Sequence, residues 1–329
     1  MTGLTYLQAI ILGVLQGVTE LFPISSLGHS VLVPAWIGGS WSHLVTEGDA
    51  RDSADPYLAF IVALHVATAL ALLAYYRRDW VRIIRALVTS LRTRKIATSA
   101  QRLAWLLVAA TIPVGVIGLA LEHTFRTLFA KPLAASIFLT INGLILLGAE
   151  RLRRRAQTPA TMPEPIAVGA HFAANAESPD TDHTNLPANP APAGLITTQR
   201  RTLDNLAFKE AALIGFFQSF ALLAGISRSG VSMAAGLLRG LDHEDAAKFS
   251  FLLATPVILA AGVLKLPTLA GPAGAHIHGQ ILAGFLAAGI AAYLSVRFLT
   301  RYFTTRTLTP FALYCLIGGA VSTAWFAGH

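Results

Sequence analysis

Charged residues and cysteine are both scarce in this sequence. Only 13% of its 329 residues are Asp, Glu, Lys or Arg, whereas a soluble domain carries about 25%, so an ordinary soluble fold is excluded. The single cysteine, Cys315, excludes an intrachain disulfide and a zinc site built on paired cysteines. The alternating segments of a membrane β-barrel are also missing. What remains is a chain that is 54% hydrophobic and is expected to fold as membrane helices.

Apolar runs of about 20 residues, the length that a helix needs to cross a bilayer, recur along the chain. They predict an all-α polytopic membrane protein with six transmembrane helices, near residues 57 to 77, 103 to 121, 132 to 150, 249 to 266, 280 to 299 and 310 to 327. The first residues include no basic segment and no small-residue cleavage site, so no removable signal peptide is expected.

The positive charge is concentrated in two basic segments, both predicted to be loops, one between the first two spans and one after the third. The loops 38 to 56, 122 to 131 and 267 to 279 contain few basic residues. This bias predicts that the two basic segments are cytoplasmic and that the three loops lie on the other side of the membrane. The net charge of +8 is therefore a topology signal, and nucleic acid is not an expected partner.

Residues 156 to 199 differ in composition from the rest of the chain, with seven prolines between Pro159 and Pro192. Such a segment cannot bury enough apolar surface to order itself, which predicts a disordered cytoplasmic insert. Residues 1 to 329 are otherwise expected to form a single membrane domain.

Two further apolar regions, residues 4 to 37 and 206 to 241, are each interrupted near the middle by small and polar residues. The segment GVLQGVTELFPISSLG at 13 to 28 matches GFFQSFALLAGISRSG at 215 to 230 at six positions, each pair separated by 202 residues. The charge bias predicts that each region is a re-entrant helical hairpin and that the two enter from opposite sides. This pattern is typical of an inverted-topology repeat, in which broken helices meet near the midplane to form a site.

The two breaks contain the residues that we expect to form the site. Glu20 and Arg228 are costly within a bilayer, so each is expected to have a partner or a ligand. Ser25 and Ser227 precede apolar helical runs, so the positive ends of two helices converge with the arginine on an anion, for which phosphate is suitable. The candidate residues are Gln16, Glu20, Ser25, Ser26, Gly28 and His29 in the first break and Ser227, Arg228, Ser229 and Gly230 in the second.

A carboxylate beside a phosphate needs either a divalent cation or a role in proton transfer. Glu20 is therefore the candidate ligand for Mg²⁺ or Ca²⁺, which bind oxygen atoms. His29 is predicted to act as a general acid or base or to attack phosphorus itself, and Ser26 or Ser25 is the competing nucleophile. His65, in the middle of the first span, is expected to be a packing or hydrogen-bonding residue.

The same motifs resemble those of a known family. QGVTELFPISSLGH at 16 to 29 and AGISRSG at 224 to 230 look like the two signature motifs of the bacterial undecaprenyl pyrophosphate phosphatases, the bacitracin-resistance family. FSFLLATP at 249 to 256 resembles the segment that follows the second motif there. By this resemblance, the acidic and catalytic positions of the first motif are Glu20, Ser25, Ser26 and His29, and the phosphate-binding group of the second is Ser227, Arg228 and Ser229. We expect the catalytic residues to be Glu20, Ser26, His29 and Arg228. Gln16 stands where many members have a second glutamate.

By that resemblance, the protein removes the terminal phosphate from undecaprenyl pyrophosphate and regenerates the carrier used in cell-wall synthesis, which confers bacitracin resistance. The implied partners are this polyprenyl pyrophosphate and the lipids of the bacterial cytoplasmic membrane, with the site open to the outer side. A homodimer is left open. The alternative function is a transporter or lipid flippase, because inverted repeats and broken helices also build transporters. The third hypothesis is a scaffold that holds cell-wall enzymes through the insert at 156 to 199.

Overall fold

The computed structural model describes residues 4–42, 56–129, 131–157, 202–264 and 277–328, and its regular secondary structure in these ranges is helical throughout. The predicted insert at 156 to 199 lies outside the described residues apart from its first two. Within the described ranges the α-helices are α1 (Tyr6–Thr19), α2 (Ser26–Ile37), α3 (Pro56–Tyr75), α4 (Arg77–Thr93), α5 (Ser99–Phe129), α6 (Pro132–Gln157), α7 (Phe208–Gln218), α8 (Arg228–Leu238), α9 (His243–Leu264), α10 (His278–Tyr302) and α11 (Thr309–Gly328).

Both predicted breaks are present, and each separates two short helices. Helix α1 begins at a capping box, in which the Thr5 hydroxyl accepts from the Gln8 backbone N–H and the Gln8 side chain accepts from the Thr5 N–H. With 14 and 12 residues, α1 and α2 are about 21 and 18 Å long, too short to cross about 30 Å of hydrocarbon. Helices α7 and α8 begin 202 residues after α1 and α2, which is the same separation as in the sequence match.

Within the described ranges, five helices are long and apolar enough to cross a membrane, namely α5, α6, α9, α10 and α11. A sixth is obtained if α3 and α4, which meet at a bend of 84°, are counted as one span. The six predicted spans fall on these five helices and α3. The fold is therefore that of a multi-pass helical membrane protein.

The basic segment after the first span, which we predicted as a loop, is the helix α4. Its apolar residues recur at helical spacing, with Val81, Ile84 and Val88 on one face and Ile83 buried where α4 packs on α5. Trp105 in α5 donates a 3.0 Å hydrogen bond to the Ser90 hydroxyl in α4 and fixes this contact. The prediction was wrong because the density of arginines hid the periodicity of the apolar residues between them.

Helices from the two halves of the chain pack against each other. Helix α1 packs along α10, and its counterpart α7 packs along α5. Both contacts are close, because a Cβ atom added to Gly13 would collide with the Gly284 carbonyl, and one added to the equivalent Gly215 would collide with the Ala110 carbonyl. Helix α3 contacts α9, and α6 pairs with α11. The first short helix of each pair therefore packs against a long helix from the other half of the chain.

Candidate active site

The serines that precede α2 and α8 cap these helices and join the two breaks. The Ser25 hydroxyl accepts from the Gly28 N–H of its own helix and from the Gly225 N–H of the other break, both at 3.2 Å. The Ser227 hydroxyl accepts from the Gly230 N–H at 3.1 Å. Gly28 and Gly230, predicted to bind substrate through their backbone, thus already donate to capping serines.

Two further contacts hold the breaks against each other. Ser229 donates its hydroxyl to the Phe22 carbonyl at 3.2 Å. The fully buried Asn142 of α6 donates to the Pro23 carbonyl and accepts from the Ser227 N–H, each at 3.0 Å. This one amide satisfies a backbone group in each break, where no helix can do so.

Glu20 lies at the centre of the site and is buried, with 6% of its surface exposed. Its Oε1 accepts from Nε and Nη2 of Arg228 at 3.3 and 3.2 Å. Its Oε2 accepts from the Ser26 hydroxyl at 2.5 Å and from the Gln16 amide at 3.0 Å. The two charges that were each expected to need a partner are therefore paired with each other. Because one Arg228 nitrogen also points at the Ser250 carbonyl, at 3.4 Å, the fork is held on two sides.

His65 also belongs to this cluster. Its Nδ1 lies 2.8 Å from the Ile61 carbonyl, which makes it a hydrogen-bonding residue as expected. Its Nε2 lies 3.4 Å from Oε2 of Glu20, and this proximity was not foreseen. The glutamate is thus flanked by two basic side chains, Arg228 and His65, from α8 and α3.

His29 is turned away from this cluster. Its Nδ1 lies 2.6 Å from the Ser25 carbonyl and its Nε2 lies 2.7 Å from the Tyr314 hydroxyl, and the two rings stack. Since a carbonyl only accepts, Nδ1 carries the hydrogen and Nε2 accepts from Tyr314. Both ring nitrogens are engaged, and the imidazole does not line the cavity described next.

A cavity of about 120 Å³ lies between the breaks. Of the predicted site residues, Glu20, Ser25, Ser26, Ser227 and Arg228 line it, whereas Gln16, Gly28, His29, Ser229 and Gly230 do not. Its remaining wall includes apolar side chains of α5 and α9, among them Val114, Val257 and Ile258. The cavity therefore joins a charged, hydroxyl-bearing end to an apolar side.

Comparison with known proteins decides the family. The family model described as bacitracin resistance protein BacA matches residues 9–321, which is nearly the whole chain. The chain belongs to the BacA family.

Three relatives of this BacA-family chain are named undecaprenyl-diphosphatases. Undecaprenyl-diphosphatase 2 of Frankia alni is 64% identical, with 99% of both chains covered. Undecaprenyl-diphosphatases of Mycolicibacterium paratuberculosis and Mycobacterium avium are each 52% identical, with 98% of both chains covered. The resemblance inferred from the two motifs is confirmed.

The oxygen atoms around Glu20 are suitable ligands for a divalent cation that would also be bound by the phosphate of a substrate. Because Nε2 of Gln16 donates to Glu20, Oε1 of the same amide is a buried atom without a hydrogen-bond partner among the described residues. This oxygen, the Glu20 carboxylate and the Ser26 hydroxyl are ligands of the kind that Mg²⁺ and Ca²⁺ take. The described part of the chain contains no group of three or more His, Cys, Asp or Glu that could hold a metal ion. Substrate oxygens would therefore have to complete the coordination of a cation here.

Proposed function

We propose that this chain is an integral membrane phosphatase that hydrolyses undecaprenyl pyrophosphate to undecaprenyl phosphate and inorganic phosphate. The observation that carries the proposal is the buried cluster of Glu20, Ser26 and Arg228 in a cavity between two helix breaks. Relatives over the full length are named undecaprenyl-diphosphatases, which supports this substrate. The reaction recycles the lipid carrier for cell-wall synthesis and thereby confers bacitracin resistance.

Arg228 is the group that we expect to bind the pyrophosphate. Its planar fork already holds one oxygen of a carboxylate, and phosphate oxygens have the geometry to take that place. Ser227 and the amino terminus of α8 lie beside it and favour negative charge. The cavity of about 120 Å³ admits the headgroup only, so the isoprenoid extends past Val114, Val257 and Ile258 toward the lipid.

Among the three candidate nucleophiles, the geometry favours Ser26. Its hydroxyl donates to Oε2 of Glu20 at 2.5 Å, so the carboxylate is placed to take its proton. The Ser25 hydroxyl instead accepts two backbone N–H groups, and both nitrogens of His29 are engaged.

In the proposed reaction, Ser26 Oγ attacks the terminal phosphorus while its proton passes to Glu20. The phosphoanhydride bond breaks, and undecaprenyl phosphate leaves with the bonding electron pair. Water then attacks the phosphoserine while Glu20 returns its proton to the leaving Ser26 Oγ, which releases inorganic phosphate and restores both Ser26 and the Glu20 carboxylate. Glu20, the Gln16 amide oxygen and the substrate oxygens would hold Mg²⁺ or Ca²⁺, which when bound neutralises the charge between the carboxylate and the pyrophosphate.

We also propose that the protein lies in the bacterial cytoplasmic membrane with its two hairpins re-entrant from opposite sides and the site open to the outer side. The distribution of arginine supports this topology. It is tested by labelling Ser40→Cys and Lys95→Cys variants in intact cells with a membrane-impermeant maleimide, because the native Cys315 is buried. We expect Ser40→Cys to react at once and Lys95→Cys only after permeabilisation. The reverse pattern would invert the proposed orientation.

The function is tested by measuring inorganic phosphate released from undecaprenyl pyrophosphate by the purified protein in detergent, with and without EDTA. We expect release that EDTA suppresses and that added Mg²⁺ or Ca²⁺ restores. Release that is indifferent to EDTA would remove the cation from the proposal and leave the phosphatase in place. Folded protein that releases no phosphate, but moves the lipid across reconstituted vesicles, would establish the transporter alternative.

A further inference from the structure

An open groove of about 440 Å³ lies at the carboxyl-terminal end of α10, apart from the proposed active-site cavity. Its lining combines arginines with apolar and aromatic side chains, mainly Arg297, Arg301, Arg306, Leu294, Phe298 and Tyr302. Neither the phosphatase chemistry nor the family motifs involve these residues.

Among the residues that the structure describes, the three guanidinium groups of the groove have no carboxylate partner. Arg297 and Arg301 are one helical turn apart, so they share a face of α10. Arg306 is brought back by the turn after the helix, in which its N–H donates to the Tyr302 carbonyl at 3.0 Å. Over the residues that the structure describes, no Asp or Glu oxygen lies within ion-pair distance of these three side chains. Three positive charges thus face one groove without compensation.

A continuous apolar stripe leads along α10 to this groove. Every fourth residue is large and apolar, and each is more than half exposed: Leu282, Leu286, Ile290, Leu294 and Phe298. At this spacing each side chain lies one turn above the previous one and about 40° further round the helix, so the stripe winds about halfway round α10 as it approaches the groove. The stripe ends at the guanidinium groups. Its apolar and basic parts therefore complement a lipid, in which an apolar chain is attached to an acidic headgroup.

We propose that the groove binds the headgroup of an anionic phospholipid whose acyl chain lies along this stripe. An exposed apolar stripe alone is ordinary for a membrane helix, and arginines near a helix end are favourable without any ligand. The concave shape and the three uncompensated guanidinium groups distinguish this place, because basic pockets at helix ends suit lipid phosphates. The ring of Phe298, which lines the groove, stacks on the ring of Phe22 in the first break, with 5.9 Å between the ring centroids. A lipid that packs on Phe298 would therefore also support the loop that follows Glu20.

The test is native mass spectrometry of the full chain in detergent, titrated with phosphatidylglycerol or phosphatidylcholine. We expect phosphatidylglycerol to bind preferentially and its affinity to fall about fivefold for each arginine removed in the Arg297→Gln, Arg301→Gln and Arg306→Gln series. The single variants keep the test valid if the triple variant does not fold. A matched triple variant, Arg78→Gln/Arg85→Gln/Arg92→Gln, removes three exposed arginines from α4 and is expected to bind within about twofold of the native chain.

Three outcomes would overturn the proposal. Equal losses in the two triple variants would reduce the effect to net charge. Equal binding of phosphatidylcholine would show that the acidic headgroup is not recognised. Displacement of phosphatidylglycerol by millimolar inorganic phosphate, with the same dependence on Arg301, would identify a free anion as the ligand.

Discussion

Replacing Arg228 with alanine is expected to lower phosphate release by about 100- to 1,000-fold, the loss typical when a preorganised donor is removed from a transition state. Arg228 directs two nitrogens at the carboxylate that a phosphate would displace, and only 12% of its side chain is exposed. The measurement is phosphate release from undecaprenyl pyrophosphate, with Arg85→Ala on the exposed surface of α4 as the control that should retain activity.

The same substitution leaves Glu20 buried without its arginine, which is expected to destabilise the protein by about 3–5 kcal/mol. A loss of activity caused by unfolding must therefore be separated from a loss of chemistry. In the Glu20→Gln/Arg228→Gln double variant no charge is left unpaired, so we expect the thermal midpoint to recover much of its native value while turnover stays absent. Near-native turnover in this folded double variant would remove the pair from the mechanism.

The positions of the two breaks could be predicted because the sequence repeats itself there. Six identical residues at a constant separation predicted two equivalent interruptions, and α2 and α8 do begin at Ser26 and Arg228. Their meeting was predicted from the repeat, because broken helices of such repeats form a shared site. The cost of isolated charges predicted only that Glu20 and Arg228 each need a partner or a ligand, and the two lie 3.2 Å apart.

The side chains that support the breaks could not be predicted in the same way. Asn142, His65 and Tyr314 are single polar residues within long apolar helices, and each meets the site only through packing between distant helices. The sequence showed only that a polar residue lies in the middle of a span. This predicts a hydrogen bond but not the residue that forms it. The direction of the His29 ring depends on Tyr314, 285 positions away, so its position in the motif could not reveal that it faces away from the cavity.

Replacing Ser26 with alanine is expected to abolish turnover, by about 1,000-fold or more, with little change in thermal stability. The substitution removes the hydroxyl that donates to Glu20 at 2.5 Å and leaves the Glu20–Arg228 pair in place. The matched variant is Ser25→Gly, because Ser25 has a φ of 73°, which glycine adopts without strain. Loss of the Ser25 hydroxyl takes away a helix cap and the bond to Gly225, for which we expect a lower thermal midpoint and a loss of activity of about tenfold or less.

Comparing Ser26→Ala with Ser25→Gly separates two roles, nucleophilic attack on phosphorus and structural support of the helix break. If Ser26 is the nucleophile, brief incubation of the native protein with substrate labelled on the terminal phosphate, followed by acid quench, should leave label on the protein, and Ser26→Ala should carry none. Label that persists in Ser26→Ala and disappears in Ser25→Gly would transfer the role to Ser25. In a parallel sample quenched in base, where phosphohistidine is stable, label that is lost in His29→Ala would show that the His29 ring leaves Tyr314 and turns toward the cavity when substrate binds.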